Sequence, residues 1–312
     1  MQTAPTLQEK LKLFLALSRT PHGLIDMATP ALAALLCLGH FPPAAVTLVG
    51  LLTVFAGYTA VYALNDLVDL KTDIKKVAAG VYDEDVDQLD LDGVLVRHPI
   101  ATGALSLGAG LLWTAAWSAV ALLGAYWLNP VCLYLFLAGC LLEAIYCRLW
   151  RVTPWRTVIN GIVKTLGALA AVFAVNPDPP LLFLAALFFW LFFWEIGGQN
   201  IPNDWSDIEE DRRFNAQTVP VRFGQHRAGL ISVGCLVAVL FFNLFVWWAS
   251  PLPNSGMILF IALLISVFLL LKPALTLAQN NTSDDAMRLF NQASYYPLTM
   301  LGLVLIQLLM LD

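Results

Sequence analysis

The sequence predicts an all-α protein, an integral membrane bundle of nine transmembrane helices with cytoplasmic Asp-rich loops after helices 2 and 6. Three observations lead to the prediction of a membrane bundle. Of the 312 residues, 59% are hydrophobic and 12% are charged, whereas soluble domains carry about 25% charged residues. The hydrophobic residues gather in runs of the length that crosses a bilayer, which is about 20 residues for a helix. The basic residues lie in alternate connections between these runs. This combination argues against a soluble fold.

A short amphipathic segment precedes the first apolar run. If residues 5–18 are helical, their larger apolar side chains share one side, so we expect this helix to lie in the membrane interface. The interfacial N-terminal segment is predicted to cover residues 1–22. Its apolar side is formed by Leu7, Leu11, Phe14 and Leu15.

Nine apolar runs follow, and several of them are bounded by proline-rich connections such as Pro42-Pro43, which are typical of turns. We take each run as one transmembrane span. The predicted spans are 23–41, 44–64, 103–126, 130–148, 156–175, 180–200, 227–249, 255–272 and 293–311.

The distribution of basic residues orients the bundle. Except for Lys164, every Lys and Arg lies before the first span or in a connection on the same side of the membrane. By the positive-inside rule this side is cytoplasmic, together with the N-terminus, and we expect the membrane to be a bacterial cell membrane. Lys164 lies inside the fifth span, where an unpaired charge is costly. We expect a phosphate or an acidic partner for it, with snorkelling to the cytoplasmic edge as the alternative.

Two stretches with the pattern N-D-x-x-D-x-x-x-D follow the second and sixth runs, at 65–73 and 203–211. On a helix the three aspartates of each stretch lie at i, i+3 and i+7, and so share one face. Crowded carboxylates repel one another unless a cation lies between them, and oxygen-only ligands suit Mg²⁺. A solvated helix end would explain one such motif, but two motifs on the same side favour two metal-binding arms. The predicted catalytic and metal-binding residues are Asp66, Asp69, Asp73, Asp204, Asp207 and Asp211.

A polar stripe leads from the sixth run into the second motif. A polar residue recurs there at every fourth position, and within a membrane such a stripe must face a cavity or a partner. We expect the helix to bend or partly unwind at Pro202, and Gly197 and Gly198 to permit close approach of a neighbouring helix. The stripe consists of Glu195, Gln199, Asn203, Asp207 and Asp211.

In these features the chain resembles the UbiA superfamily of intramembrane prenyltransferases, which has nine helices and an Asp-rich motif after helices 2 and 6. Accessory segments are similar as well. Arg19-Thr20-Pro21 resembles an Arg-x-Pro before helix 1, residues 97–106 resemble a run into helix 3, and residues 218–224 resemble a Thr-x-Pro-Val-x-x-Gly segment before helix 7. The resemblance covers nearly the whole chain and implies a single UbiA-like transmembrane domain over residues 1–312.

The resemblance implies a function and a set of partners. It implies Mg²⁺-dependent transfer of an isoprenyl chain from an isoprenyl diphosphate to an acceptor through an allylic cation. We expect the acceptor to be a small molecule, aromatic in character, such as a quinone or lipid precursor. The isoprenoid tail would lie among the helices in a slot open to the lipid bilayer. Nucleic acid is not an expected partner, because the basic residues are dispersed.

The resemblance also implies roles for residues around the aspartates. Two Mg²⁺ ions would be held by the six aspartates on the diphosphate. Aromatic faces would shield the allylic cation, for which Tyr58, Tyr62 and Trp194 are candidates, although core packing or lipid contact is the alternative for each. The expected substrate-binding residues are Asn65, Asn203, Lys164, Arg97, Arg222, Asn160 and Gln199.

Two departures from the family pattern concern the acceptor side. The cytoplasmic link at 74–96 is long and acidic, with six acids among the ten residues 83–92. It is predicted to be a solvated loop, and a lid or a further metal site are the alternatives. His98 stands between the family's Arg and Pro, at Arg97 and Pro99, where a different residue is expected.

Other functions remain open from the sequence. A terpene cyclase of the same superfamily would use the same metal site, but would release diphosphate without an acceptor. A cation-coupled transporter would need acids near the middle of the bilayer, whereas the aspartate motifs lie at the cytoplasmic ends. Membrane CDP-alcohol phosphotransferases also use repeated aspartates, but they require an Asp-Gly followed closely by Ala-Arg, which neither motif contains.

Overall fold

The computed structural model describes residues 6–80, 95–253 and 255–311, and it is entirely helical within these ranges apart from turns and connections. In the part of the chain that is described, nine helices are long and apolar enough to cross a membrane, which confirms the predicted fold class. We number them span 1 to span 9. They are Thr20–Leu38, Ala44–Ala78, Leu107–Leu128, Pro130–Arg148, Arg156–Val175, Leu181–Ser206, Gln225–Ala249, Gly256–Asn280 and Ser283–Leu311.

Spans 2, 6, 8 and 9 each extend well beyond their predicted limits, and the extension of span 2 changes where the first aspartate motif lies. Span 2 continues without a break to Ala78, so residues 65–73 are its last helical turns rather than a loop, and the predicted loop at 74–96 begins later. Span 9 begins at Ser283, ten residues before the predicted start. Hydropathy marks where a helix leaves the hydrocarbon, whereas the helix itself continues into the polar region.

The N-terminal segment is a separate helix, Leu7–Leu17, which begins with a capping box between Thr6 and Glu9. After this helix the chain turns at Arg19, which has a left-handed φ of 43°, and span 1 starts at the next residue. Span 1 therefore begins within residues 1–22, which were predicted as the interfacial segment. The apolar side of the N-terminal helix contacts the bundle through Phe14, which stacks on Trp113 with ring centroids 4.7 Å apart.

The spans form a closed bundle. Each span packs against the next in sequence, and span 9 returns to contact span 1. Large apolar side chains such as Leu48, Leu112 and Leu123 remain exposed on the outer surface, which is the arrangement that a lipid environment requires. The protein is therefore a multi-pass integral membrane protein.

A dense core between spans 6, 7, 8 and 9 supports the second aspartate motif. Trp190, Trp247 and Tyr296 are completely buried there. The indole N–H of Trp190 donates to the Tyr296 hydroxyl at 3.1 Å, so these two polar groups are paired within the core. Gly197 lies so close to span 7 that an added Cβ would be 2.6 Å from the Cβ of Cys235. The predicted close approach at this glycine is confirmed.

Two π-helical segments interrupt the spans, at Glu195–Asn200 in span 6 and Val267–Leu271 in span 8. Each ends just before a proline, Pro202 or Pro273. A proline has no N–H for the carbonyl four residues earlier, and a π-bulge is one way in which a helix accommodates this loss. The bend expected at Pro202 is therefore a widened turn directly before it, not an unwound segment.

Candidate active site

The first aspartate motif forms a compact group with a residue from the following connection. Asp66 and Asp73 are buried on one face of span 2. The Nδ1 atom of His98 lies 3.4 Å from a carboxylate oxygen of Asp66 and 3.1 Å from one of Asp73. All three ligand atoms lie within 4.8 Å of one another, which is close enough for one metal ion.

The electrostatics of this group depend on the position of the His98 ring. His98 adopts a left-handed conformation with φ 48°, which turns its ring towards the motif. Burial disfavours the imidazolium, but its hydrogen bonds and charge interactions with Asp66 and Asp73 outweigh burial and raise the pKa of His98 to about 9. At neutral pH a cationic ring therefore lies between the two carboxylates.

Arg19 and Asn65 flank this group. A guanidinium nitrogen of Arg19 lies 3.4 Å from Asp66. The side-chain amide of Asn65 donates to Glu143 of span 4 at 2.7 Å and contacts the sulfur of Cys147 at 3.3 Å. Asn65 is thus oriented by a buried carboxylate rather than pointing freely into solvent.

In the second motif, Asp204 makes a buried ion pair with Arg156, the first residue of span 5, at 2.5 Å. The Arg156 guanidinium also lies over the ring of Tyr146, 4.5 Å from its centroid. Asn200 donates to the Tyr146 hydroxyl at 2.9 Å. The other oxygen of Asp204, Oδ2, has no hydrogen-bond partner among the described residues.

The remaining acids of the second motif are arranged differently. Asp211 is buried and accepts hydrogen bonds from the Trp150 indole at 3.1 Å and the Thr218 hydroxyl at 2.8 Å. Burial, together with the charge of Asp204, raises the pKa of Asp211 to about 6. Asp207 is exposed, because the helix breaks at this position between Ile201–Ser206 and Ile208–Arg213.

The two motifs meet. Lys76, one turn beyond Asp73, makes an ion pair with Glu210 of the second motif at 2.6 Å. The Lys76 ammonium also lies over Trp150, 4.6 Å from the ring centroid. Arg213 donates to the backbone carbonyl of Ala79 at 3.2 Å. The acid-bearing ends of spans 2 and 6 are therefore on the same side of the bundle and in contact.

A cavity of about 640 Å³ opens below this meeting point, between spans 1, 2, 3, 4, 5, 6 and 9. Near the motifs its lining is polar and includes Arg19, Asn65 and Asn203. Towards the far ends of the spans it becomes apolar. The apolar part is lined by residues such as Phe41, Val46, Leu51, Leu128 and Val175.

Several predicted substrate-binding residues line this cavity. Asn160 donates to Glu195 at 2.7 Å, and Gln199 donates to the backbone carbonyl of Phe290 at 3.1 Å. Lys164 donates to Asp26 of span 1 at 2.8 Å and to the Tyr62 hydroxyl at 2.7 Å. Of the partners expected for Lys164, the structure supplies the acidic one.

Other predicted residues lie away from the cavity. Arg222 is exposed at the end of the short helix Val219–Phe223, and Arg97 is half-buried outside the lining. Trp194 is in the core, where its indole donates to the carbonyl of Ala293, so it is no longer a candidate for shielding a cation in the cavity. Asp69 is outside the group formed by Asp66, Asp73 and His98. The acidic stretch 83–92 lies outside the described residues.

Sequence analysis did not single out three charged residues of the site, namely Asp26, Glu143 and Arg156. A signal was present for the first two, because each is a lone acid within an apolar span, and such residues are functional candidates by default. Arg156 is less conspicuous, because it lies at the start of span 5 among other cytoplasmic basic residues.

The residues present fit Mg²⁺. The atoms that would coordinate the metal are mostly carboxylate oxygens, which Mg²⁺ prefers. Asp66 and Asp73 are close enough to share one ion, and the Oδ2 atom of Asp204 has no partner among the described residues.

Comparison with known proteins agrees with this description. The UbiA prenyltransferase family matches residues 27–295. The digeranylgeranylglyceryl phosphate synthase of Thermococcus sibiricus is 26% identical over 235 residues, which cover 75% of this chain and 77% of that protein.

Solved structures are similar in fold. A UbiA homologue from Archaeoglobus fulgidus bound to DMAPP and Mg²⁺ has a TM-score of 0.70 and 17% identity, covering 95% of this chain and 98% of that one. The apo structure of a UbiA homologue from Aeropyrum pernix has a TM-score of 0.68 and 20% identity, covering 91% and 97%.

The chain belongs to the UbiA prenyltransferase family, since the family match covers most of its length. It is therefore a membrane-embedded enzyme of the prenyltransferase class.

Proposed function

We propose that the protein transfers an isoprenyl group from an isoprenyl diphosphate to a small acceptor, a quinone or lipid precursor, with Mg²⁺ held by the two aspartate motifs. The observation that carries this proposal is the meeting of two acid-bearing helix ends above an apolar cavity. The A. fulgidus homologue of similar fold is described as bound to DMAPP and Mg²⁺. By the distribution of Lys and Arg, the mouth of the cavity faces the cytoplasm.

The residues at the mouth would bind the diphosphate. Arg19 lines the cavity beside Asp66, where it can donate to phosphate oxygens. Arg156 is fixed between Asp204 and Tyr146, so it places a permanent positive charge beside the second motif. When bound, Mg²⁺ would neutralise the negative charge that grows on the diphosphate as it leaves.

The cavity below would bind the hydrocarbon chain and exclude water. Its apolar lining offers burial worth about 0.8 kcal/mol for each CH₂ group. Tyr62 and Tyr58 of span 2 line it about one and two turns before the motif, respectively. Their rings would face the allylic carbons, and aromatic faces stabilise a cation. A dry cavity also protects such a cation from reaction with water.

The test is product analysis by mass spectrometry. Purified protein is incubated with Mg²⁺, a set of prenyl diphosphates, and pooled aromatic and glycerol-based acceptors. We expect a prenylated acceptor and one diphosphate per product. Diphosphate release with a cyclised hydrocarbon and no acceptor dependence would instead indicate a terpene cyclase.

Variants of the motif aspartates test whether prenyl transfer depends on the two motifs. Asp66→Ala and Asp204→Ala should each lower Mg²⁺-dependent diphosphate release by roughly 100-fold or more, because each removes a charge that holds the metal. Asp178→Ala is the matched control, since Asp178 is an exposed acid in the connection between spans 5 and 6 and outside the cavity lining. Full turnover in either motif variant would disprove the proposal.

A further inference from the structure

A second polar group lies in the cavity, deeper than the aspartate motifs. Glu195 begins the π-helical segment of span 6, is 3% exposed and lines the cavity. Its Oε1 accepts a hydrogen bond from Asn160 at 2.7 Å. Its Oε2 has no hydrogen-bond partner anywhere in the described part of the chain. A buried carboxylate oxygen without a donor is costly. On a side chain that lines a cavity, such an atom points to a ligand that donates to it when bound.

Glu195 lies at the depth where the reacting carbon of the isoprenyl diphosphate would lie. On span 5, Arg156 contacts Asp204 at the motif, and Asn160 contacts Glu195 one helical turn further in. One turn advances about 5.4 Å along the helix axis. A diphosphate at the level of Asp204 would therefore place its first isoprenyl carbon near the level of Glu195, where an acceptor must approach it.

The charges around Glu195 favour an acceptor without a charge of its own. The lining carries the carboxylates of Glu143 and Glu195. The cations that it carries are already matched by acids behind them, Lys164 by Asp26 and Arg19 by Asp66. The donor's diphosphate would in addition occupy Arg19. A phosphate or carboxylate on the acceptor would therefore meet Glu143 and Glu195 without an available cation to balance its charge. An uncharged molecule with an O–H group would supply the donor that Oε2 lacks.

We propose that Glu195 binds the hydroxyl group of an uncharged acceptor, an alcohol, phenol or hydroquinone, and removes its proton during prenyl transfer. This inference rests on the proposed function and specifies its acceptor class. Asn160 is a positioning residue, because it holds Oε1 and leaves Oε2 without a partner among the described residues.

The step balances without a further reactant. A lone pair of the hydroxyl oxygen forms a bond to the first isoprenyl carbon. The bond between that carbon and the diphosphate oxygen breaks, and its electron pair leaves with the diphosphate. The O–H proton passes to Oε2 of Glu195, which becomes a neutral carboxylic acid, and the product is a prenyl ether. The proton is later returned to water.

The first experiment compares matched acceptors on the unmodified enzyme with Mg²⁺ and one prenyl diphosphate. The pairs are hydroquinone with 2,5-dihydroxybenzoate, and a glycerol monoether with its phosphate. We expect kcat/KM for the neutral member of each pair to exceed that of the anionic member by about tenfold or more, since each 1.4 kcal/mol of unfavourable charge interaction corresponds to a factor of ten.

Preference for the anionic members would overturn this inference and leave the proposed function intact. Absence of diphosphate release with any acceptor would instead overturn the proposed function. The acceptor comparison needs no variant, so its result is independent of any effect on folding.

The second experiment replaces the carboxylate. In Glu195→Gln, transfer to a phenol should fall by roughly 100-fold, the lower range for loss of a general base. The donor KM should stay within about threefold of the unmodified enzyme, because the aspartate motifs are untouched. Glu195→Asp, which keeps a carboxylate, should recover part of the transfer rate.

A series of substituted phenols separates the base from a merely structural role. As the acceptor becomes more acidic, less help is needed to remove its proton, so the defect of Glu195→Gln should shrink along the series. A structural role would give the same defect with every phenol. A constant defect, or transfer at the normal rate in Glu195→Gln, would overturn the assignment.

Discussion

At the scale of the residue, the carboxylates of the first aspartate motif are balanced by a positive charge that a metal ion could replace. His98 places a cationic ring between Asp66 and Asp73, at the position where a metal would bind. The carboxylates are thus kept apart and compensated before any substrate arrives. The sequence showed His98 only as a departure from a family pattern, because its left-handed backbone and its distance to the motif depend on the fold.

His98→Asn tests this replacement. Without added metal, the variant should unfold at a lower temperature, because two buried carboxylates lose a charged partner, worth about 1–3 kcal/mol. Added Mg²⁺ should then raise the unfolding temperature more in the variant than in the unmodified protein. Thermal unfolding with and without Mg²⁺ measures both effects.

The matched control is His40→Asn, since His40 is exposed in the connection between spans 1 and 2. His40→Asn should change neither the unfolding temperature nor its increase on addition of Mg²⁺. An equal response to Mg²⁺ in His98→Asn and in the unmodified protein would show that His98 does not share the metal's position.

At the scale of the element, an irregular turn in span 6 determines which neighbouring helices its polar side chains contact. A polar stripe with a strict period of four was predicted to run from Glu195 to Asp211. The π-helical turn before Pro202 breaks this period, so that Glu195 contacts span 5 whereas Gln199 contacts span 9. Of the stripe, Glu195, Gln199 and Asn203 line the cavity, and Glu195 and Gln199 contact different neighbouring spans. Periodicity alone could not show this, because it assumes a regular helix.

Pro202→Ala should remove the reason for the π-helical turn. With the N–H restored, a regular α-helix becomes available, and the residues before position 202 would rotate relative to the aspartates. We expect the rate of prenyl transfer to fall by about tenfold or more, with unchanged or increased thermal stability. Pro273→Ala is the matched control, because it follows the other π-helical segment, outside the cavity lining. Equal activity in both variants would contradict this prediction.

Gly197→Ala probes how closely span 6 lies against span 7. The added Cβ would be 2.6 Å from Cys235 and 2.9 Å from the backbone oxygen of Ser232, which cannot move easily. Overpacking of this kind costs about 1–3 kcal/mol of unfolding free energy. Gly234→Ala on span 7 meets nothing within 4 Å and should be neutral or stabilising. Equilibrium unfolding in detergent compares the two, and equal stabilities would contradict the close approach.

At the scale of the whole molecule, the ion pair of Lys76 and Glu210 joins the two aspartate motifs. Its side chains are 16% and 21% exposed, so solvent screens the pair only partly. Lys76→Glu and Glu210→Lys should each raise the donor KM several-fold, because like charges would separate the motifs. The double reversal should recover much of the loss, with a coupling of about 0.5–3 kcal/mol.

A second ion pair serves as the control for this cycle. Arg212 and Glu209 lie in the same segment, but their side chains are 52% and 85% exposed. Exposed pairs contribute little, about 0–1 kcal/mol, so the same reversal there should leave the donor KM nearly unchanged. Additive effects at Lys76 and Glu210 would show that the pair does not couple the motifs.

The sequence by itself determined the membrane class, the nine spans and the two aspartate motifs, because hydropathy, charge placement and motif spacing are local properties of the chain. Only the tertiary structure decided which acids act together. It joined Asp66 and Asp73 to His98, paired Asp204 with Arg156, and turned Glu195 towards span 5. The physical reason is that a buried charge needs a partner, and the partner comes from whichever helix packs beside it. That neighbour is set by packing across the bundle, at sequence distances that no local pattern records.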